Sequence, residues 1–191
     1  MISTRFTQHS LVTEAHKTLL AYQAKPDISV DATMGNGHDT DFLARHSQHV
    51  YAFDVQEQAL LNTLKRLQTS EQVNKVTLIH SGHEGMIDYL PQQANIDIFM
   101  FNLGYLPQSD TTIITQTENT LRALNQAIQL LSPKGIISII AYPGHTGGDS
   151  ELTAILQWLE KIKDNFAITH IHSLQETADS PRLFTLTRIP N

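Results

Sequence analysis

The chain has 191 residues, no cysteine and a formal charge of −6. That length can bury a core without help from metal or disulfides, and the missing thiols exclude a disulfide framework, thiolate metal sites and a cysteine nucleophile. The acidic balance argues against a protein that grips nucleic acid over its whole surface, while its scattered Lys and Arg leave room for a local basic patch.

The first ten residues are polar and lack the apolar stretch of a signal peptide. No later apolar run is long enough to cross a bilayer, so a soluble cytoplasmic protein with no membrane partner is expected. A helical pattern over Leu11–Ala24 leads into an apolar strand at Ile28–Ala32. Strands then recur at Val50–Asp54, Val76–His80, Ile96–Phe101, Ile136–Ala141, Phe166–His172 and Leu183–Arg188, separated by helical patterns at Asp41–His46, Glu57–Leu67, Glu84–Leu90, Thr115–Leu131 and Glu151–Lys163. In the last of these helices, Trp158 with Leu152, Ile155, Leu156 and Leu159 suits a buried face, and Pro133-Lys134-Gly135 reads as the turn before the fifth strand.

This alternation predicts a doubly wound α/β fold around a mostly parallel seven-stranded sheet, in one domain spanning 1–191, since no linker or repeat divides the chain. The short loop between the last two strands leaves no room for a crossover helix, so they should pair as an antiparallel hairpin. Such an ending is typical of class I methyltransferases, whereas a dinucleotide-binding domain would continue with a parallel strand.

Gly35-Asn36-Gly37 follows the first strand directly and opens a helix. Glycines suit a backbone that turns sharply and passes close to a ligand, although a plain Asn-Gly turn has the same appearance. Asp54 ends the second strand, where it could accept bonds from both ribose hydroxyls of a nucleoside cofactor or simply cap the next helix. The third strand ends in His80-Ser81-Gly82-His83-Glu84, polar groups that could meet an adenine. Thr40 stands where a dinucleotide fingerprint has its third glycine, and Asp31 could attract the ammonium or sulfonium of S-adenosylmethionine but would repel a pyrophosphate. An oxidoreductase is therefore the least favoured reading.

The fourth strand runs into Phe101-Asn102-Leu103-Gly104-Tyr105. This resembles the Asn-Pro-Pro-Tyr loop of amino-group methyltransferases, with Leu-Gly in place of Pro-Pro. An amide oxygen there can hold an N–H donor so that its lone pair faces the methyl group; the alternative is a structural turn with an Asn cap and a core Tyr. His145, in the loop after the fifth strand, is a candidate base or RNA contact, or an exposed loop histidine. The remaining histidines show no metal-ligand spacing, and no metal is expected.

Four segments together resemble the rRNA methylase family, which includes the MnmM-type tRNA methyltransferases. They are Asp31-Ala-Thr-Met-Gly-Asn-Gly-His-Asp-Thr40, Tyr51-Ala-Phe-Asp-Val-Gln56, Phe101-Asn-Leu-Gly-Tyr-Leu-Pro107 and Tyr142-Pro-Gly-His145. The resemblance implies S-adenosylmethionine as cofactor and methylation of 5-aminomethyl-2-thiouridine at the tRNA wobble position. By position, it implies that Asn36 and Asp39 meet the methionine part, Asp54 and Gln56 the ribose, and Gly82 and His83 the adenine side. The chain departs from it at Gln108-Ser109-Asp110, where relatives tend to carry Gly-Gly-Asp, and at Gly82-His83-Glu84, where Ser-His-Asp is common. An anticodon loop would be gripped by the rim of the domain, for example by stacking on Tyr105 or Tyr142, or by a second subunit of a homodimer. Methylation of rRNA or of a small-molecule amine is the alternative, and a non-catalytic cofactor-binding module a third reading.

Overall fold

The Val- and Ile-rich runs assemble into one sheet of eight strands among the described residues of a computed structural model, which are 2–6, 11–104, 117–144, 147–173 and 177–190. In chain order the elements are β1 (Ile2–Phe6), α1 (Leu11–Tyr22), β2 (Ile28–Asp31), α2 (His38–His46), β3 (His49–Asp54), α3 (Glu57–Thr69) and β4 (Val76–His80). A 3-10 turn (His83–Asp88) then leads to β5 (Ile96–Asn102), α4 (Thr117–Leu130), β6 (Leu131–Ala141), α5 (Gly148–Ile162), β7 (Phe166–Ser173) and β8 (Arg182–Arg188). The strand order is β1-β7-β8-β6-β5-β2-β3-β4. No helix of the described residues is long and apolar enough to cross a membrane.

All seven expected strands are present, and the last two pair antiparallel as their short connection requires. β8 also lies antiparallel to β6, so it is inserted between β6 and β7. The eighth strand is an addition: β1 joins the edge of the sheet parallel to β7, in a polar segment with no alternating apolar pattern to announce it.

The core forms two layers because side chains alternate across the central strands. Phe99 and Phe101 of β5, Ile137 and Ile139 of β6 and Phe184 of β8 pack on one face with α4 and α5. Ile98, Met100, Ile136 and Ile140 face the other way, against α1, α2 and α3. Each fully buried side chain of this size contributes about 1.5–3 kcal/mol. On α5, Ile155, Trp158 and Leu159 are buried and Trp158 donates its indole N–H to Asn125 Oδ1 at 3.0 Å, whereas Leu156, expected on the same face, is 44% exposed. Its position turns it off the 3.6-residue stripe.

Pro133-Lys134-Gly135 does not end the strand, as a turn would. β6 begins at Leu131, opposite Ile96, and the register jumps before Ile98 pairs with Ile136, so the three residues form a bulge inside the strand. Ser132 anchors it by donating its hydroxyl to Asp97 Oδ1 at 2.8 Å. A Cβ on Gly135 would lie 2.8 Å from the carbonyl oxygen of Ile96 and 2.6 Å from a Leu131 methyl. Gly135→Ala is therefore expected to cost roughly 1–3 kcal/mol by overpacking; urea unfolding with an unchanged midpoint would show that the bulge yields instead.

Candidate functional site

β2 is the strand at which the winding of the sheet reverses, with β3 on one side and β5 on the other. The crevice beyond the carboxyl ends of such strands is where ligands bind in this architecture. Side-chain alternation fixes what points into it. Val30, Phe53 and Phe101 belong to the α4–α5 layer, so the next residues, Asp31, Asp54 and Asn102, turn toward the α1–α2–α3 side.

The glycine loop crosses this edge. Gly35 and Gly37 have φ of 50° and 75°, the left-handed region that favours glycine, and a Cβ on Gly37 would lie 2.8 Å from Thr63 Cα. Helix α3 clasps the loop. Thr63 donates its hydroxyl to the Gly35 carbonyl at 3.2 Å, Asn62 its amide to Asn36 Oδ1 at 2.8 Å, and Arg66 its Nε–H to the Asn36 carbonyl at 2.8 Å. Asp54 completes the clasp: Oδ2 accepts from Gly35 N at 3.0 Å and Oδ1 from Gln56 N at 2.9 Å. Each oxygen keeps a further acceptor site. Gln56 is half-buried beside it at the head of α3.

Asp31 and Thr40 lie deeper than a ligand-facing reading suggests. Asp31 is fully buried; Oδ2 accepts from the Thr40 hydroxyl at 2.6 Å and Oδ1 from Thr33 N at 3.1 Å. Burial, with the charge of Asp39 adding to it, pushes the Asp31 carboxyl up to about 7. Asp39 sits in the first turn of α2, 5% exposed, with Oδ1 2.8 Å from His16 Nε2 and Oδ2 accepting from Asn102 Nδ2 at 3.1 Å. Asn102 also donates its backbone N–H to Thr33 Oγ1 at 2.8 Å, and its side chain shares a hydrogen bond with Tyr142. Burial and the charge of Asp39 push the Tyr142 hydroxyl up to about 12, so it stays protonated at neutral pH.

His83 turns inward from the 3-10 turn, with Nδ1 2.9 Å from the Ala32 carbonyl and its ring edge-on to Phe101. Burial lowers its pKa, so the ring is neutral, donates through Nδ1 and leaves Nε2 unprotonated. At Gly82 a Cβ would collide with the Glu84 carboxylate. The glycine and the acid two residues on thus share one space.

The crevice therefore brings together Asp31, Gly35, Asn36, Gly37, Asp39, Thr40, Asp54, Gln56, Gly82, His83 and Asn102. Tyr105 and His145, like Gln108-Ser109-Asp110, lie outside the described residues. His16 was not singled out by sequence. Its only signal is a polar residue beside the buried Ala15 in an amphipathic helix, and its partner lies 23 positions away. Among the described residues, no three His, Asp or Glu side chains gather as metal ligands would.

A family model described as "Putative rRNA methylase" matches residues 50–187. The chain is 37% identical over 142 residues, 69% of its length, to the chloroplastic tRNA (mnm(5)s(2)U34)-methyltransferase of Arabidopsis thaliana. It covers 52% of that relative, and so spans about half its length. A crystal structure of a "putative rRNA-methylase" from Clostridium thermocellum superposes with a TM-score of 0.90 at 34% identity, covering 96% of this chain and 100% of the other. A "putative methyltransferase" from Streptococcus mutans, solved in complex with SAH, does so with a TM-score of 0.86 at 34% identity and the same coverage.

The raised Asp31 has a consequence for stability. Its folded value of about 7 lies above the ordinary 3.8, so the stability it contributes is full below about pH 4 and is lost as pH rises through 7. The free protein should lose stability to urea between about pH 4 and pH 7, and Asp31→Asn should flatten that slope. An equal slope in the variant would reject the assignment.

Proposed function

The chain belongs to the rRNA methylase family, and on that premise we propose that it is an S-adenosylmethionine-dependent N-methyltransferase that converts 5-aminomethyl-2-thiouridine to 5-methylaminomethyl-2-thiouridine at the tRNA wobble position. The observation that carries the proposal is the side-chain amide of Asn102, held at the end of β5 by Asp39 and Tyr142 and opening on the same crevice as the glycine loop. The name of the plant relative points to the same nucleoside.

The residues suit S-adenosylmethionine. Gly35 and Gly37 let the loop make its left-handed turn across the strand ends, Gly37 with α3 packed directly against it, and Asp31, Asp39 and Asp54 make a negative field that favours an ammonium and a sulfonium over a pyrophosphate. When bound, this cofactor supplies an electrophilic methyl group on sulfur. Asp54, with Gln56 beside it, would take the ribose hydroxyls on its remaining acceptor sites. Asn36 and Asp39 would meet the methionine part, and Gly82 and the neutral His83 would line the adenine side. Asp31 and Thr40 act from beneath, by charge and by bracing the first turn of α2.

The acceptor amine must arrive neutral, because a protonated nitrogen has no lone pair to offer. Asn102 can accept one N–H through Oδ1 and so turn that lone pair toward the methyl group. Such alignment, more than acid–base chemistry, supplies the rate in this reading.

Incubation with S-adenosylmethionine and tRNA from cells lacking the modification should add one methyl group to the wobble uridine, read by nucleoside mass spectrometry. No gain of mass on that nucleoside would sink the assignment. Asn102→Ala should slow transfer by up to about a hundredfold while calorimetry shows nearly unchanged cofactor affinity; full activity would remove Asn102 from the mechanism.

A further inference from the structure

Helix α1 packs against β6, β7 and β8, and one of its side chains reaches Asp39 at the crevice. The His16 ring lies flat on Phe42 of α2, with centroids 3.6 Å apart and planes within 2° of parallel. That stack sets the plane of the ring and brings Nε2 to 2.8 Å from Asp39 Oδ1. Asp39 is nearly buried, and its other oxygen receives the Asn102 amide at 3.1 Å. The chain of contacts thus runs from α1 through α2 to the end of β5.

We propose that His16 is a positioning residue for methyl transfer: by occupying one oxygen of Asp39 it directs the other to Asn102, and so fixes which end of the Asn102 amide faces the acceptor. The inference rests on the reading of Asn102 as the group that holds the acceptor amine. An amide can sit in two orientations related by a flip, with its oxygen and nitrogen exchanged. A carboxylate oxygen accepts and cannot donate, so Asp39 selects the orientation in which Nδ2 faces it and Oδ1 faces away. That selection is only as firm as the carboxylate. A free Asp39 would rotate about its last torsion and leave the amide to its hydrogen bond with Tyr142, whose hydroxyl can pair with either end of it. The donor on Oδ1 removes this freedom, and the stack on Phe42 removes it from the donor. His16 touches neither cofactor nor acceptor in this scheme; it acts through Asp39.

Two variants separate this role from a simple tie between helices. His16→Phe keeps a flat ring on Phe42 but has no N–H to donate, whereas His16→Gln restores a donor at similar reach. With full-length protein, S-adenosylmethionine and tRNA lacking the wobble methyl group, His16→Phe should lower kcat by roughly ten- to a hundredfold with KM for tRNA within about twofold. His16→Gln should recover most of the loss. In an Asn102→Ala background at saturating S-adenosylmethionine, which offsets any change at the cofactor contact of Asp39, His16→Phe should cost nothing further in kcat, because the residue it serves is gone. Wild-type kcat in His16→Phe, an equal loss in His16→Gln, or fully additive losses would each overturn the proposal.

A second measurement needs no acceptor and so stands apart from the functional reading. In 15N spectra of wild-type protein the His16 ring should carry its proton on Nε2, and the Asn102 side-chain NH2 should exchange slowly. In His16→Phe that protection should be lost. A bare Nε2 in the wild type, or identical Asn102 amide signals in both proteins, would reject the hold of His16 on Asn102. If the wild type transfers no methyl to this tRNA, the functional reading fails, and the spectra still decide whether His16 sets the amide.

Discussion

Asp31 closes β2 with a carboxyl group that water does not reach, and the geometry of the crevice depends on how that group is satisfied. One oxygen draws in Thr33 N and bends the chain off the strand; the other takes the Thr40 hydroxyl and pins the first turn of α2. Between these two bonds the chain must pass through Gly35-Asn36-Gly37, which is why the loop has its left-handed residues there. Thr33 in turn receives the backbone N–H of Asn102, so the loop over one strand end and the amide at the next share a single support. Burying such a group is costly unless its bonds are made. Proton uptake relieves that cost in the free protein, and a cationic ligand in the crevice would relieve it differently, by favouring the ionised form.

The class of fold was legible because seven apolar runs had the length and spacing of strands, and the short connection from Ser173 to Pro181 left only an antiparallel pairing. β1 was not legible, since a polar edge strand needs only backbone partners. The bulge at Pro133 was read as a turn because Pro and Gly punctuate both, and only the register of β5 against β6 separates them.

Within the site, residues at strand ends were legible and their depth was not. Asp54 and Asn102 stand where their positions suggest, but Asp31, one residue beyond the buried Val30, follows the pleat down beneath α2. His83 similarly turns into the floor, to the Ala32 carbonyl. His16 was invisible for another reason. Its significance lies in a contact between helices far apart in sequence, and a single histidine on an amphipathic helix carries no pattern that reports its partner.

The insertion of β8 between β6 and β7 has a consequence for the order of assembly. Among the described residues, β7 joins β6 and the rest of the sheet only through β8, and β1 only through β7. On a ribosome, β2 to β6 can pair as they emerge, whereas β1, made before all of these, stays without its partner until β7 and β8 have followed. Contacts of such long sequence separation close late and expose strand edges while they wait. The crevice is thus built from the early-pairing half of the sheet, and its flank beside Tyr142 is sealed by the strands that arrive last.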